Sequence, residues 1–290
     1  MATDVVPASL IDGLQSALGD DTDIVDVSSA IHGVRQTKGL TEIEAIEEAA
    51  RISKRCLEAV PEIAEPGLTE GELQAELEKI KRRHSAEPEM VNRGWNMWNN
   101  FGIVASEPNT AEISGFWVTI TGEGMHAGRP FGASDRELQK RDVLVVDHGT
   151  LVEGYHSDEA RTYVVGDDRP EVESDVEILF ECLDEAVDAV KPGVLVSEPY
   201  ERALEIATSY GKEEEFMALG QYGVSYLGHG VELEIDELPL VAAHSDQVFK
   251  PGMTIALEPK FVYPGEWGAT VEDTVLVTED GAQAAHRDPT

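Results

Sequence analysis

Five residues set the chemistry open to this chain: Asp147, Asp158, His229, Glu258 and Glu272. Asp147 ends an apolar run, Val143 to Val146, that reads as a buried strand. The turn signal Glu153-Gly154 and a second strand-like segment, Tyr155 to Val165, follow. A hairpin centred near Val152 and Glu153 sets Asp147 opposite Asp158. Cross-strand partners have Cβ atoms about 4.5–5.5 Å apart, where like charges repel. A cation between them reverses the sign of that interaction, so the pair reads as half of a metal site. Thr254 to Tyr263 and Ala269 to Thr278 repeat the arrangement about the Pro264-Gly265 turn, setting Glu258 opposite Glu272. Either pair alone is better explained as chance alignment in an acid-rich chain. Both together, joined by the His229 of Gly228-His229-Gly230, point to one site.

Four carboxylates and one imidazole suit manganese, cobalt, iron or zinc rather than copper. We place manganese first. Five protein ligands exceed what one catalytic zinc takes, whereas two ions about 3.5–4 Å apart use all five. Such a pair polarises a carbonyl and activates a water, with Glu258 or a neighbouring carboxylate as proton acceptor. The glycines beside His229 let backbone and ion approach closely. Strand alternation turns His148 away from Asp147 and puts Ser157 on the face opposite its neighbours, so His156, Ser157 and Asp158 form no nucleophilic triad. His156 lies two before Asp158 and shares its face as a supporting donor. His244 reads as a surface residue.

The elements that must position these groups alternate helix pairs with strands. A short helix, Leu10 to Leu18, is followed by a Gly-Asp-Asp loop and a strand or turn leading to Arg35 and Lys38. Thr41 and Glu44 form a capping-box signature for a helix running towards Pro61, striped by Ile43, Ile46, Ala50 and Ile52. The segment Glu65 to Glu70 caps a second helix, Glu70 to His84. Helices over Glu171 to Val190 and Pro199 to Gly211 again flank a Pro-Gly turn, a weak internal duplication. Residues 1–38 read as a lead-in or the remnant of an upstream domain, and residues 39–290 as the catalytic domain. Trp95, Trp98, Phe101, Phe116 and Trp117 cluster between the first helix pair and the central hairpin, as core with a few walling a pocket. Gly122, Gly124 and Gly128 mark a loop, because their spacing misses the dinucleotide pattern and no helix follows.

Asp147-x-Gly149, Gly154-Tyr155 and Ser157-Asp158-x-x-Arg161-Thr162 resemble the prolidase, aminopeptidase P, methionine aminopeptidase and creatinase superfamily. So do Gly228-His229-Gly230, Gly252-Met253 before Leu257-Glu258-Pro259, and Val271-Glu272-Asp273-Thr274, so that the resemblance covers roughly residues 35 to 283. It implies the pita-bread fold, a pseudo-twofold α+β domain whose curved antiparallel sheet is flanked by helices and holds two ions. It implies cleavage of an amide bond in a small peptide, often next to proline, by a homodimer. Four positions depart from the peptidase pattern. Seven residues after His229 the family's second histidine is Asp236, and the usual glycine at three past it is Glu232. Ser114 takes the place of an upstream histidine, and Thr270 that of the arginine two before the last glutamate in aminopeptidase P. Those histidines position substrate and stabilise the tetrahedral intermediate. His126 and Asp236 are the candidates to substitute, Asp236 by binding a substrate amine or by moving a proton. Superfamily relatives that hydrolyse creatine, open ectoine or cleave dimethylsulfoniopropionate make a non-peptide small molecule the alternative substrate. A non-catalytic binding protein is a further alternative, against which all five ligands weigh.

The 290 residues carry 57 acids against 22 Lys and Arg, a formal charge of −35. Such a surface repels itself unless salt screens it, the Debye length falling to about 3 Å at 1 M. It points to a salt-adapted protein and away from nucleic acid and anionic membrane as partners. No segment is long or apolar enough to span a bilayer. MATDVVPASL has no signal-like pattern, so the expected compartment is the cytoplasm, with Cys56 and Cys182 as reduced core thiols.

Overall fold

The computed structural model describes residues 2–19, 21–92, 102–112 and 120–286. The five aromatics from Trp95 to Trp117 and Ser114 lie outside the described residues.

Two helix pairs each back one sheet. In the first half, α3 (Leu40–Ile63) and α4 (Glu70–Arg83) pack on a sheet of order β1 (Gly102–Ser106), β2 (Val143–Val152), β3 (Tyr155–Val164). Their shared core includes Cys56, Val60, Leu73, Leu77, Leu144 and Val146. In the second half, α5 (Pro170–Ala189) and α6 (Glu198–Ser209) pack through Leu179, Cys182, Leu183, Ala203 and Ala207 against Ile255 and Val275. Those two residues belong to β6 (Thr254–Leu257) and β9 (Asp273–Val277), in a sheet of order β10-β9-β6-β4-β5. Its other strands are β4 (Tyr226–Gly230), β5 (Glu237–Ala242) and β10 (Ala282–Ala284). All strand pairs are antiparallel, which is the expected α+β arrangement. Ala160 in β3 exchanges backbone hydrogen bonds with Glu272, stitching the halves together. A small ribbon, β7 (Lys260–Tyr263) with β8 (Trp267–Thr270), extends beyond this seam.

The central hairpin has a two-residue turn. Glu153 (φ 52°) and Gly154 (φ 92°) both adopt the left-handed region, whose twist matches that of the flanking strands. Val152 therefore pairs with Tyr155, and the register sets Asp147 opposite Ala160 and Asp158 opposite Gly149. This corrects the facing pair expected from the sequence. The hairpin centre lies one residue later, so each pairing moves by two. An even shift keeps every side chain on its face, and the two aspartates end as diagonal neighbours.

Three further expectations change. Residues 28–35 are a helix, α2 (Ser28–Arg35), rather than a strand or turn; the Asp26 carboxylate accepts the Ser28 N–H at 2.9 Å at its start. The capping box of α3 is not Thr41 with Glu44: the Gly39 N–H donates to Glu42 at 2.6 Å. The long strands proposed around Glu258 and Glu272 are each broken, into β6 and β7 and into β8 and β9. Pro259 has no N–H to give a ladder, which frees Glu258 from regular pairing. Cys56 and Cys182 are free and buried, as expected.

Candidate metal centre

The seam between the halves gathers all five predicted ligands. Ligand atoms of Asp158, His229 and Glu272 lie within 4.8 Å of one another, and so do those of Asp147, Glu258 and Glu272. The two triads share Glu272. Pairings on either side of the break, Leu257 with Asp273 and Lys260 with Thr270, put Glu258 opposite Glu272 as the sequence predicted.

Each ligand is positioned from its backbone. Thr274 Oγ1 accepts the Asp158 N–H at 2.8 Å and donates to the Asp158 carbonyl at 2.9 Å. Arg161 donates to the Glu272 carbonyl at 2.6 Å and pairs with Asp273 at 2.6 Å. A Cβ at Gly228 would collide with the Ala256 carbonyl, so only glycine lets β4 approach β6 closely enough to seat His229. His229 Nδ1 donates to the Gly230 carbonyl at 3.1 Å, leaving Nε2 facing Asp158 and Glu258, each at 3.9 Å. On the opposite face of the hairpin, Ser157 and Thr150 bond to Ser53 of α3, and Lys81 of α4 donates to the Gly149 carbonyl at 2.6 Å. His148 is buried on that side too. The alternation predicted for Ser157 and His148 therefore holds.

The electrostatics ask for cations. Among the described residues, both oxygens of the buried Glu272 carboxylate, and Oδ1 of Asp158, have no hydrogen-bond partner. A buried charge without a partner costs several kcal/mol in effect, and a divalent ion among these oxygens removes that cost. Burial, then neighbouring carboxylates, lifts Asp158 and Glu272 well above the usual carboxylate range, and burial lifts Asp147 to about 6. Burial alone would lower His229, but Asp236 and Glu258 outweigh it and hold the imidazole above its ordinary value. The donor set of four carboxylates and one imidazole fits two borderline-hard divalent ions.

Asp236 stands at the rim. Its carboxylate is 3.3 Å from His229 Nε2, and its side chain is 58% exposed. The loop that carries it is clamped by the N-terminal segment. Arg35 of α2 pairs with Glu237, and with Glu234 at 3.1 Å. Lys38 reaches Glu232 at 3.6 Å. Burial raises Glu232 to about 7, against the pull of Lys38. His156 supports the same loop rather than a ligand: its Nδ1 donates to the Glu232 carbonyl at 2.9 Å, and its Nε2 accepts the Val91 N–H. His126 is exposed, and its Nδ1 accepts the Gly128 N–H at 3.1 Å within its own loop; it is not among the converging residues.

Sequence reasoning missed Lys260. Its side chain is 1% exposed, and its ammonium pairs with Glu258 and lies 3.9 Å from Asp147. Burial would lower its pKa, but Glu258, Asp147 and Glu272 outweigh it and keep the group charged. The spacing Glu258-Pro259-Lys260 carried the signal, since residues two apart in a strand share a face. Lys260 is also the cross-strand partner of Thr270, so the cation lacking at position 270 is supplied from the facing strand. Arg35, Lys38 and Thr274 were missed as positioning groups as well, because their contacts join segments far apart in the chain.

Comparison with known proteins agrees with this geometry. Residues 44–279 match metallopeptidase family M24. The chain is 33% identical over 291 residues to a probable dipeptidase PepE of Mycobacterium tuberculosis, covering 99% of this chain and 68% of that protein. It is 34% identical over 259 residues to an Xaa-Pro dipeptidase of Pyrococcus furiosus, covering 89% of this chain and 65% of that protein. It thus spans about two thirds of the length of these curated relatives. The solved prolidase of Pyrococcus furiosus superposes with a TM-score of 0.80 at 29% identity, over 98% of this chain and 74% of that one. Ligands, pita-bread architecture and sequence agree: the chain belongs to metallopeptidase family M24, the metal-dependent peptide hydrolases of this fold.

Proposed function

We propose that the chain is a dinuclear hydrolase that cleaves the amide bond of a small peptide with proline after the scissile bond. The observation that carries this is the pair of triads sharing Glu272, whose buried oxygens have no hydrogen-bond partner among the described residues. Asp158, His229 and Glu272 would hold one ion and Asp147, Glu258 and Glu272 the other; when bound, the pair supplies Lewis acidity and an activated water. Lys260 occupies Glu258 Oε2, leaving Oε1 as the acceptor for the nucleophile's proton. Asp236, open at the rim, receives the substrate's ammonium and fixes the scissile bond over the centre. Similarity to proteins named Xaa-Pro dipeptidase and prolidase supports the choice of substrate.

The finer assignments are part of the same proposal. The ions are manganese, with cobalt, iron or zinc able to replace it. The protein is a salt-adapted homodimer of the cytoplasm, with residues 1–38 a lead-in or the remnant of an upstream domain and residues 39–290 the catalytic domain. Among the described residues no helix is long and apolar enough to cross a membrane. Hydrolysis of Ala-Pro with each divalent ion in molar salt tests the function. One observation favours a second reading: an aspartate, not a histidine, faces His229 at the rim. That anion suits a small cationic or zwitterionic amide such as ectoine, and turnover of ectoine without turnover of Ala-Pro would select it.

A further inference from the structure

The back of the central hairpin carries a polar cavity apart from the metal centre. In β3, Glu159, Arg161 and Tyr163 alternate onto the face turned away from Asp158, and all three line a cavity of about 300 Å³ beneath α3. Glu159 is 1% exposed. Its Oε2 accepts the Ser157 hydroxyl at 3.1 Å, while its Oε1 has no hydrogen-bond partner among the described residues. The nearby donors are engaged elsewhere. Arg161 donates to the Ala160 and Glu272 carbonyls and pairs with Asp273, and the Tyr163 hydroxyl donates to the Leu57 carbonyl at 2.7 Å. Lys54 stands exposed at the rim. Glu58 and Asp273 add their carboxylates to that of Glu159 in the lining, so its acids outnumber Lys54 and Arg161.

We propose that this cavity is a monovalent-cation site, in which potassium or sodium pairs with Glu159 and braces the back of the hairpin. A buried carboxylate without a cation is destabilising, and burial raises this one to about 7. One bound positive charge offsets it. Calcium and magnesium need several converging oxygens at about 2.0–2.6 Å, and among the described residues only the seam triads bring three such ligand groups together. A monovalent ion gives up and keeps water more freely, and the cavity has room for the ion with several waters, each filling about 30 Å³. A chain of charge −35 also concentrates monovalent cations at its surface. The position has a consequence for the centre, because Glu159 follows Asp158 and Asp273 follows Glu272. A cation here holds together, from the face opposite the metals, the two segments that carry those ligands.

Melting of the manganese-loaded protein, freed of excess manganese, tests the proposal at pH 8. Potassium chloride replaces tetramethylammonium chloride at constant molar salt, so that screening does not change. Tm should rise by about 2–4 °C for each tenfold increase in potassium above half-saturation. E159Q, which keeps the shape and removes the charge, should melt above the wild type in tetramethylammonium and ignore potassium. K54M, which removes a competing cation at the rim, should respond at about twofold to fivefold lower potassium. Should E159Q fail to fold, wild-type crystals soaked in chloride-free thallium(I) decide the matter: an anomalous peak should sit against Glu159 Oε1 and fade when potassium is added in excess. A wild-type Tm that ignores potassium, an equal rise in E159Q, a stronger response to magnesium at the same concentration, or thallium bound only away from Glu159 would each overturn the proposal. So would a potassium response confined to K54M, which would make the Lys54 ammonium the native partner of Glu159.

Discussion

The Asp236 carboxylate lies 3.3 Å from His229 Nε2 while 58% of its side chain faces solvent. A group so placed touches the centre on one side and an incoming substrate on the other. D236A should lower kcat/KM for free dipeptides by the loss of one charge-assisted hydrogen bond, about 1.5–3 kcal/mol, and leave metal content unchanged. Peptides with an acetylated N-terminus should be poor substrates of both proteins and show no further loss. An equal loss on free and blocked substrates would remove the ammonium-binding role.

Arg35 holds the loop that presents Asp236. Its side chain is 14% exposed and its partners Glu234 and Glu237 are largely buried. R35A should destabilise the protein by about 3 kcal/mol, as a broken buried pair does, and should raise KM more than it lowers kcat. R35K should recover part of both. In the R35A/D236A double variant KM should rise no further than in D236A, because Arg35 acts on substrate only through Asp236; additive effects on KM would show an independent role.

The centre inverts the usual effect of acid. Asp147 titrates near 6 in the fold, lifted by burial, against about 3.9 when unfolded. Within that window the folded, metal-free chain holds protons that the unfolded chain has released, so its stability falls as pH rises. Asp158 and Glu272, raised further, extend the trend to higher pH. Metal needs the deprotonated ligands and therefore binds better in the same direction. Melting with EDTA should give a higher Tm at pH 5.5 than at 7.5, and the increase in Tm from manganese should be largest at 7.5 and fade below about 6. E272Q should flatten both trends. A metal-free Tm that climbs through this range would contradict the account.

The charge of −35 predicts a second environmental response. Screening relieves repulsion among surface acids, so Tm should rise steadily from dilute to molar NaCl. A fall over that range would refute salt adaptation.

The ligands were legible because their periodicity was. Acids facing each other across two folded ribbons, each about its own turn, keep their common face despite an error in the turn. The hairpin centre was misplaced by one residue, yet pairings then move by two and every side chain keeps its face, so Asp147 and Asp158 still meet at the centre as diagonal neighbours. Glu258 and Glu272 were placed correctly because Gly265, at φ 75°, sits at the middle of a turn whose flanking pairs run in step on both sides of the break. What the sequence hid were contacts between remote segments. Arg35 meets Glu237 some 200 residues on, and Thr274 locks Asp158 from another strand. No local pattern marks such partners. Lys260 was within reach of the same alternation that located Glu258, but a lysine beside metal ligands runs against the expectation that cations avoid one another, and it took the geometry to show it.

The central claim, two ions sharing Glu272, is tested most directly by crystals soaked in manganese. Anomalous scattering should show two peaks about 3.5–4 Å apart, one against Asp158 and His229, the other against Asp147 and Glu258, both touching Glu272. E272Q should lose at least one of them. Manganese bound elsewhere, or two peaks that leave Glu272 untouched, would contradict it.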